Sequence, residues 1–261
     1  MLNNKCALVT GSVGGGLGYA LAEALAGAGA NVVLNGLCEP EEGHAAAAAL
    51  ARAHDIEAVF DPADLRREEE IARMIGAACE RFGAVDILVN NAVVRHFSPI
   101  EDFDPADWDA SVSVNITAAF HAVRLALPAM KRRGWGRILN ISSYYGWRGA
   151  ANRIDYVTTK TALIGMTRAI AIETAPSGVT CNAICPGVVP TEAIMARIEG
   201  LARERGAPVE EVARDYAKDR SPTGRFISME HVGAMAVFLC SPAAADITGT
   251  AMPIDGGWLA V

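Results

Sequence analysis

A short apolar run followed by a helical stretch recurs along this chain, and that alternation constrains its fold more than any other feature. Lys5–Thr10, Asn31–Asn35, Glu57–Phe60, Val85–Asn90, Arg137–Ile141, Val179–Ile184 and Ala251–Ile254 read as strands. Their apolar character is nearly continuous rather than alternating, as strands buried on both faces require. Leu17–Ala28, Glu41–Ala53, Arg67–Phe82, Pro105–Arg133, Tyr156–Ala175 and Met229–Leu239 read as the intervening helices, with Gly83, Gly134 and Gly178 at their stops. Strands joined by helices run parallel, so the expected fold is α/β: one doubly wound parallel sheet with helices on both faces, spanning residues 1–261 as a single domain. Glu192–Arg225 breaks the rhythm with two charged helical patterns, Ile194–Arg205 and Val209–Lys218. Lying after the sixth strand, at the carboxyl edge of such a sheet, it is expected to form a lid over a ligand crevice; a plain surface hairpin of helices is the alternative.

Composition narrows the partners. The chain is 51% hydrophobic, enough for a substantial core, and carries 23 Lys+Arg against 30 Asp+Glu for a net charge of −7. An acidic balance argues against a nucleic-acid partner, which needs a basic face, and against an anionic membrane surface. Met1–Asn4 leads directly into an apolar run without a basic leader, and the uncharged span Thr174–Thr191 is broken by Pro, Ser, Asn and Gly. The six cysteines are scattered; only Cys181 and Cys185 are close, and no nearby His completes a metal site. Reduced thiols, no metal and a cytoplasmic location are the expectations.

The first strand ends in Thr10-Gly11-Ser12-Val13-Gly14-Gly15-Gly16-Leu17-Gly18 and enters a helix. Glycine lets backbone turn sharply and approach a pyrophosphate, which then sits on the free N–H groups of the helix start. The second strand ends in Val33-Leu34-Asn35-Gly36-Leu37-Cys38, with no Arg or Lys in it or in the glycine loop. A 2′-phosphate would lack a cation, so NAD is favoured over NADP, although the usual ribose-binding Asp is missing. Asp64, after the third strand, could accept from an adenine amino group or simply cap a helix.

Tyr156-Val157-Thr158-Thr159-Lys160 opens a helix and places phenol and ammonium on one face, one turn apart. A phenol is a weak base at neutral pH and needs nearby positive charge to hold its deprotonated form. Ser143 ends the fifth strand, where its hydroxyl could orient a substrate oxygen, and Asn115 in the preceding helix could bind main chain and water. Thr10–Gly18, Asn90-Asn91-Ala92, Asn115, Ser143, Tyr156-x-x-x-Lys160 and Pro186-Gly187-x-x-x-Thr191 together resemble the short-chain dehydrogenase/reductase family over essentially the whole chain. The resemblance implies a Rossmann-type seven-stranded sheet of order 3-2-1-4-5-6-7 and hydride transfer with a nicotinamide dinucleotide. It assigns Tyr156 as acid/base, Lys160 as its activator, Ser143 as oxyanion stabiliser and Asn115 as relay. It assigns Gly11, Ser12, Gly16, Leu17, Gly18, Asn35, Asp64, Leu65, Asn91, Ala92, Tyr156, Lys160, Pro186, Gly187, Val189 and Thr191 to the cofactor.

Val179–Gly187, Trp135–Ile138, Leu34–Gly36 and the ending Ile254–Trp258 are similar to the bacterial D-3-hydroxybutyrate dehydrogenase branch. Two departures stand out. Four residues separate Gly11 from Gly16, one more than the family loop, and Val93 follows Asn90-Asn91-Ala92 where the family has glycine. Matched position by position, the branch's carboxylate-holding side chains become Arg95, Tyr145, Arg153 and Arg197. Guanidinium forks suit carboxylate, sulfonate or phosphonate. The expected activity is therefore NAD-dependent interconversion of a secondary alcohol and a ketone on a small anionic, 3-hydroxybutyrate-like substrate. Alternatives are a hydroxyalkyl sulfonate, a phosphonate or a longer hydroxy acid; an NADP-dependent ketoacyl or carbonyl reductase; or a dinucleotide-sensing module without turnover. Helices around Pro105–Met130 and Leu163–Ile172 are apolar nearly all round, and with the resemblance they suggest a homotetramer.

Overall fold

Seven strands form one fully parallel sheet: β1 (Cys6–Val9), β2 (Asn31–Asn35), β3 (Ala58–Asp61), β4 (Ile87–Asn90), β5 (Gly136–Ile141), β6 (Val179–Pro186) and β7 (Ala251–Ile254). Their order is β3-β2-β1-β4-β5-β6-β7, as the sequence implied. The computed structural model describes residues 1–261. Helices α1 (Leu17–Gly27), α2 (Pro40–His54), α3 (Glu68–Phe82), α4 (Pro105–Val112), α5 (Ala118–Arg133), α6 (Ile154–Thr174) and α9 (Met229–Cys240) connect the strands, while α7 (Glu192–Arg205) and α8 (Val209–Lys218) form the interruption before α9.

The unbroken apolar strands follow from a sheet buried on both sides. In β1, Ala7 and Val9 face a cluster with Leu21 and Leu25 of α1 and Val232 and Leu239 of α9. Leu8 faces the other way, toward Ile71 and Met74 of α3 and Val123 and Met130 of α5. The chain leaves β1 toward β2 and later returns to β4 on the opposite side of β1. That reversal opens a crevice outside the carboxyl ends of the strands, the usual ligand position in such sheets.

Two local readings change. Pro105–Arg133 is not one helix: a π-helical turn at Ser113–Thr117 separates α4 from α5 and carries Asn115. By length and composition alone the span is apolar enough to cross a membrane, yet Ala118, Ala122, Val123, Ala126 and Met130 are spent packing on the sheet. Gly83 and Gly134 end α3 and α5 in the left-handed conformation, whereas Gly178 follows a short 3₁₀ turn beyond α6. Helices α7 and α8 have a small core of their own, Ile198, Ala202, Val212 and Tyr216, joined to the rest through Val188.

Candidate active site

A cleft of about 1030 Å³ runs along the carboxyl edge, between the β1–α1 loop, the ends of β2 to β6, and α7. Fifteen of the sixteen residues expected at a cofactor line it; Ser12 is the exception. Ser12 is fully buried beneath the loop, where its Oγ donates to the Val9 carbonyl at 2.7 Å and accepts from Asn35 N at 3.1 Å. It braces the turn rather than facing a ligand.

The extra loop residue is absorbed at Gly14 and Gly15, consecutive glycines at φ +86° and +68°. A Cβ on Gly18 would stand 2.1 Å from the Gly11 carbonyl and 2.5 Å from Asn91 Nδ2, so helix, loop and β4 meet there at backbone contact. Helix α1 begins with no acidic residue in its first turn and no side-chain cap, leaving its N–H groups for an anion. Thr191 Oγ1, at the far wall, is buried without a partner. A bare helix start, a glycine cradle and an orphaned hydroxyl fit a dinucleotide.

The adenosine end departs from expectation. The Asn35 amide is committed to the Asp61 and Ala63 carbonyls at 3.1 and 3.0 Å. The Asp64 carboxylate is gripped by the Arg66 guanidinium, with Nε at 2.9 Å and Nη2 at 2.6 Å, and this fork holds it below the usual carboxylate range. Hence a cation does lie in this part of the cleft, though its charge is matched by Asp64. Leu65 and the exposed Leu37 supply apolar wall beside it.

At the other end, α6 presents Tyr156 and Lys160 one turn apart. Lys160 Nζ lies 5.5 Å from the Tyr156 ring centroid and donates to the Ile141 carbonyl at 2.6 Å. Complete burial pushes its ammonium down to about 8, and the neighbouring Arg95 adds to that. Ser143 follows β5 in extended backbone, its Oγ accepting from Tyr145 N at 3.2 Å while facing the cleft with Tyr156. Asn115 stands behind the cleft wall. Its Oδ1 accepts from Val94 N at 2.8 Å, while its Nδ2 donates to the Val94 carbonyl at 2.8 Å and to Thr159 Oγ1 at 3.1 Å. It thus touches the residue before Lys160 and not Lys160 itself.

Arg95, Tyr145, Arg153 and Arg197 all line this same end. The Arg153 guanidinium sits 4.6 Å from the Tyr156 ring centroid and 5.9 Å from that of Phe97; Arg197 sits 5.2 Å from Phe97. The Tyr145 ring is 6.1 Å from that of Tyr156.

Three participants were not foreseen. Arg220 lines the cleft from the end of the α7–α8 segment, 3.8 Å over Tyr216. Phe97 supplies the ring that two arginines share. Asp155, fully buried beside Tyr156, accepts from Ser111 Oγ at 2.8 Å and from His96 N at 2.9 Å, with His96 Nδ1 at 3.3 Å. An acidic residue in a helix's first turn ordinarily reads as a complement to the dipole, so nothing in the sequence marked Asp155 as a clamp.

A family model described as enoyl-(acyl carrier protein) reductase matches residues 13–259. D-beta-hydroxybutyrate dehydrogenase of Cupriavidus necator is 44% identical over 261 residues, covering 100% of both chains. The enzyme of that name from Rhizobium meliloti is 43% identical over 256 residues, covering 98% of this chain and 99% of its own. L-sorbose reductase from Gluconobacter frateurii, solved with NADPH and L-sorbose, superposes with a TM-score of 0.95 at 28% identity, over 100% of this chain and 98% of its own. The chain belongs to the short-chain dehydrogenase/reductase family. It is an oxidoreductase acting on CH–OH groups with a nicotinamide dinucleotide.

Proposed function

We propose that this enzyme is an NAD-dependent dehydrogenase of a small 3-hydroxy acid resembling 3-hydroxybutyrate, working reversibly between secondary alcohol and ketone. The observation that carries this reading is the meeting of Tyr156, Lys160 and Ser143 with Arg95, Arg153 and Arg197 at one end of the cleft. The full-length relatives named D-beta-hydroxybutyrate dehydrogenase support the substrate class. NAD is supported by the uncharged Asn35–Cys38 and by Arg66, whose fork is already filled by Asp64.

Gly11, Gly16, Leu17 and Gly18 would hold the pyrophosphate, with Leu37, Asp64 and Leu65 around the adenosine. Asn91, Ala92, Pro186, Gly187, Val189 and Thr191 would flank the nicotinamide half. When bound, the dinucleotide would supply an acceptor for the hydride on the carbinol carbon. Tyr156 in its phenolate form would accept the hydroxyl proton and become neutral, and the cations Lys160 and Arg153 beside its ring offset the negative charge it carries before that transfer. Ser143 donates to the substrate oxygen as it becomes a carbonyl. Asn115 holds Val94 and Thr159 and so fixes the floor under Lys160. Residues 192–225 act as a lid that carries Arg197 onto the substrate and excludes water. The exposed Phe120 of α5 and Ile172 of α6, apolar and turned outward, support a homotetramer. The six cysteines, all free, support a cytoplasmic location.

Initial rates with 3-hydroxybutyrate and NAD or NADP, for wild type and Tyr156→Phe, test the proposal. Turnover with NAD, its loss in Tyr156→Phe, and retained NAD binding by the variant are expected. No turnover of any hydroxy acid, or a preference for NADP, overturns it.

A further inference from the structure

In an enzyme of the function proposed above, on which this inference rests, the substrate end of the cleft carries cationic charge that the protein does not match. Arg95, Arg153 and Arg197 converge beside Tyr156 and Phe97, and none forms an ion pair. No carboxylate pairs with any of the three. Of the two that line the cleft, Asp64 is forked by Arg66. The other, Glu192, stands at the glycine loop, its Oε1 3.9 Å from where a Gly15 Cβ would be. Asp155 is turned to Ser111 and His96, and Asp107 to His96 Nε2 at 3.4 Å. Arg153 Nε is buried with no acceptor at all.

While the cleft is open, water carries the charge of Arg95 and Arg197, which are exposed. A bound substrate displaces that water, and each guanidinium then needs a counter-charge. The buried amine of Lys160 lies in the same region and feels the charge of Arg95. One carboxylate supplies a single negative charge to at least three guanidiniums. From this imbalance we infer that the enzyme's preferred substrate is a dianion: a short secondary hydroxy acid bearing either two carboxylates or one doubly charged phosphonate. Arg153, anchored over Tyr156, takes the charge nearer the carbinol, and Arg197 across Phe97 takes the remainder. The chemistry is unchanged. Hydride leaves the carbinol carbon for the cofactor, the hydroxyl proton leaves through Tyr156, and the acid groups pass intact into the ketone.

The test compares kcat/KM with NAD at pH 8 for 3-hydroxybutyrate, 3-hydroxyglutarate, 2-hydroxypropylphosphonate and 2-hydroxypropanesulfonate. The sulfonate has the tetrahedral head of the phosphonate with one charge fewer, so the pair isolates charge from shape. In parallel, calorimetry with NAD present compares the non-reacting acids glutarate and butyrate. The expected result is a preference of about tenfold or more for at least one dianion over both monoanions, and tighter glutarate than butyrate. The diacid and phosphonate arms distinguish two separate heads from one doubly charged head. Arg197→Met should collapse the preference toward unity while leaving the fold intact, since Arg197 is exposed on α7. Equal or better use of 3-hydroxybutyrate and the sulfonate, with butyrate binding as well as glutarate, overturns the dianion inference and leaves the dehydrogenase reading standing. If none of the four is oxidised, the underlying function fails instead.

Discussion

Replacing Lys160 by Met should make the apoprotein more stable at neutral pH while abolishing its activity. The amine is completely buried, and burial together with the nearby Arg95 lowers its pKa from 10.5 to about 8. Each tenfold change in a protonation equilibrium is worth about 1.4 kcal/mol, so keeping this ammonium charged at pH 7 costs the folded state on the order of 3 kcal/mol. Methionine has a similar length and carries no charge. Against that gain stands the lost bond to the Ile141 carbonyl, whose buried acceptor is left unpaired at a cost of about 1–3 kcal/mol. A net gain of about 1 kcal/mol remains, equivalent to roughly 2–4 °C in melting temperature for chains of this order of length. The pH dependence gives the sharper signature. Because the folded pKa is depressed, the unfolded chain binds the extra proton between pH 8 and 10.5, and wild-type stability rises with pH across that window. The advantage of Lys160→Met should therefore be largest below pH 8 and shrink toward pH 10.5. Thermal melts of both apoproteins across that range provide the assay. A variant that melts below wild type at pH 7, with a gap that ignores pH, would refute the reasoning.

Three further outcomes can be checked. Gly18→Ala places a Cβ 2.1 Å from the Gly11 carbonyl, so dinucleotide affinity by fluorescence titration should fall at least tenfold and the melting temperature should drop. Gly76→Ala meets nothing within 4 Å in the middle of α3 and should stabilise the protein by about 0.5–1 kcal/mol in denaturant melts, with kinetics unchanged. Asp155→Asn weakens the clamp that fixes His96, one residue from Arg95, and should raise KM for an anionic substrate several-fold with a smaller change in kcat. A fall in kcat at constant KM would place Asp155 in support of Tyr156 instead.

Much of the fold was legible because its signals are local. A strand buried on both faces must be apolar throughout, a helix needs a stop, and the alternation of the two leaves little choice but a parallel sheet. The glycine loop was equally plain, since φ values of +86° and +68° at Gly14 and Gly15 demand a residue without a Cβ. Helical spacing puts Tyr156 and Lys160 on one face, but their role was legible only together with Ser143 and Asn115, through the family resemblance those residues carry.

What escaped the sequence depends on neighbours far apart in the chain. Ser12 has the spacing of a phosphate ligand but turns inward to Val9 and Asn35, because the buried strand ends behind it need its hydroxyl. The second strand predicted an end without cations, yet β3 pairs beside β2 and its following loop swings Arg66 into the same space. The π turn that carries Asn115 has no signature in an apolar helical run. Nor does charge along the chain foretell charge in space. A sequence with a net charge of −7 predicts an acidic molecule, but the fold brings three arginines from separate segments to one end of one cleft and pairs none of them with a carboxylate. Periodicity determined that this chain forms a doubly wound sheet, and local motifs with the family resemblance they carry marked its dinucleotide loop and its tyrosine–lysine pair. The sign and density of charge facing the substrate were decided only by tertiary structure, because electrostatic potential sums over distance in space and not over separation in sequence.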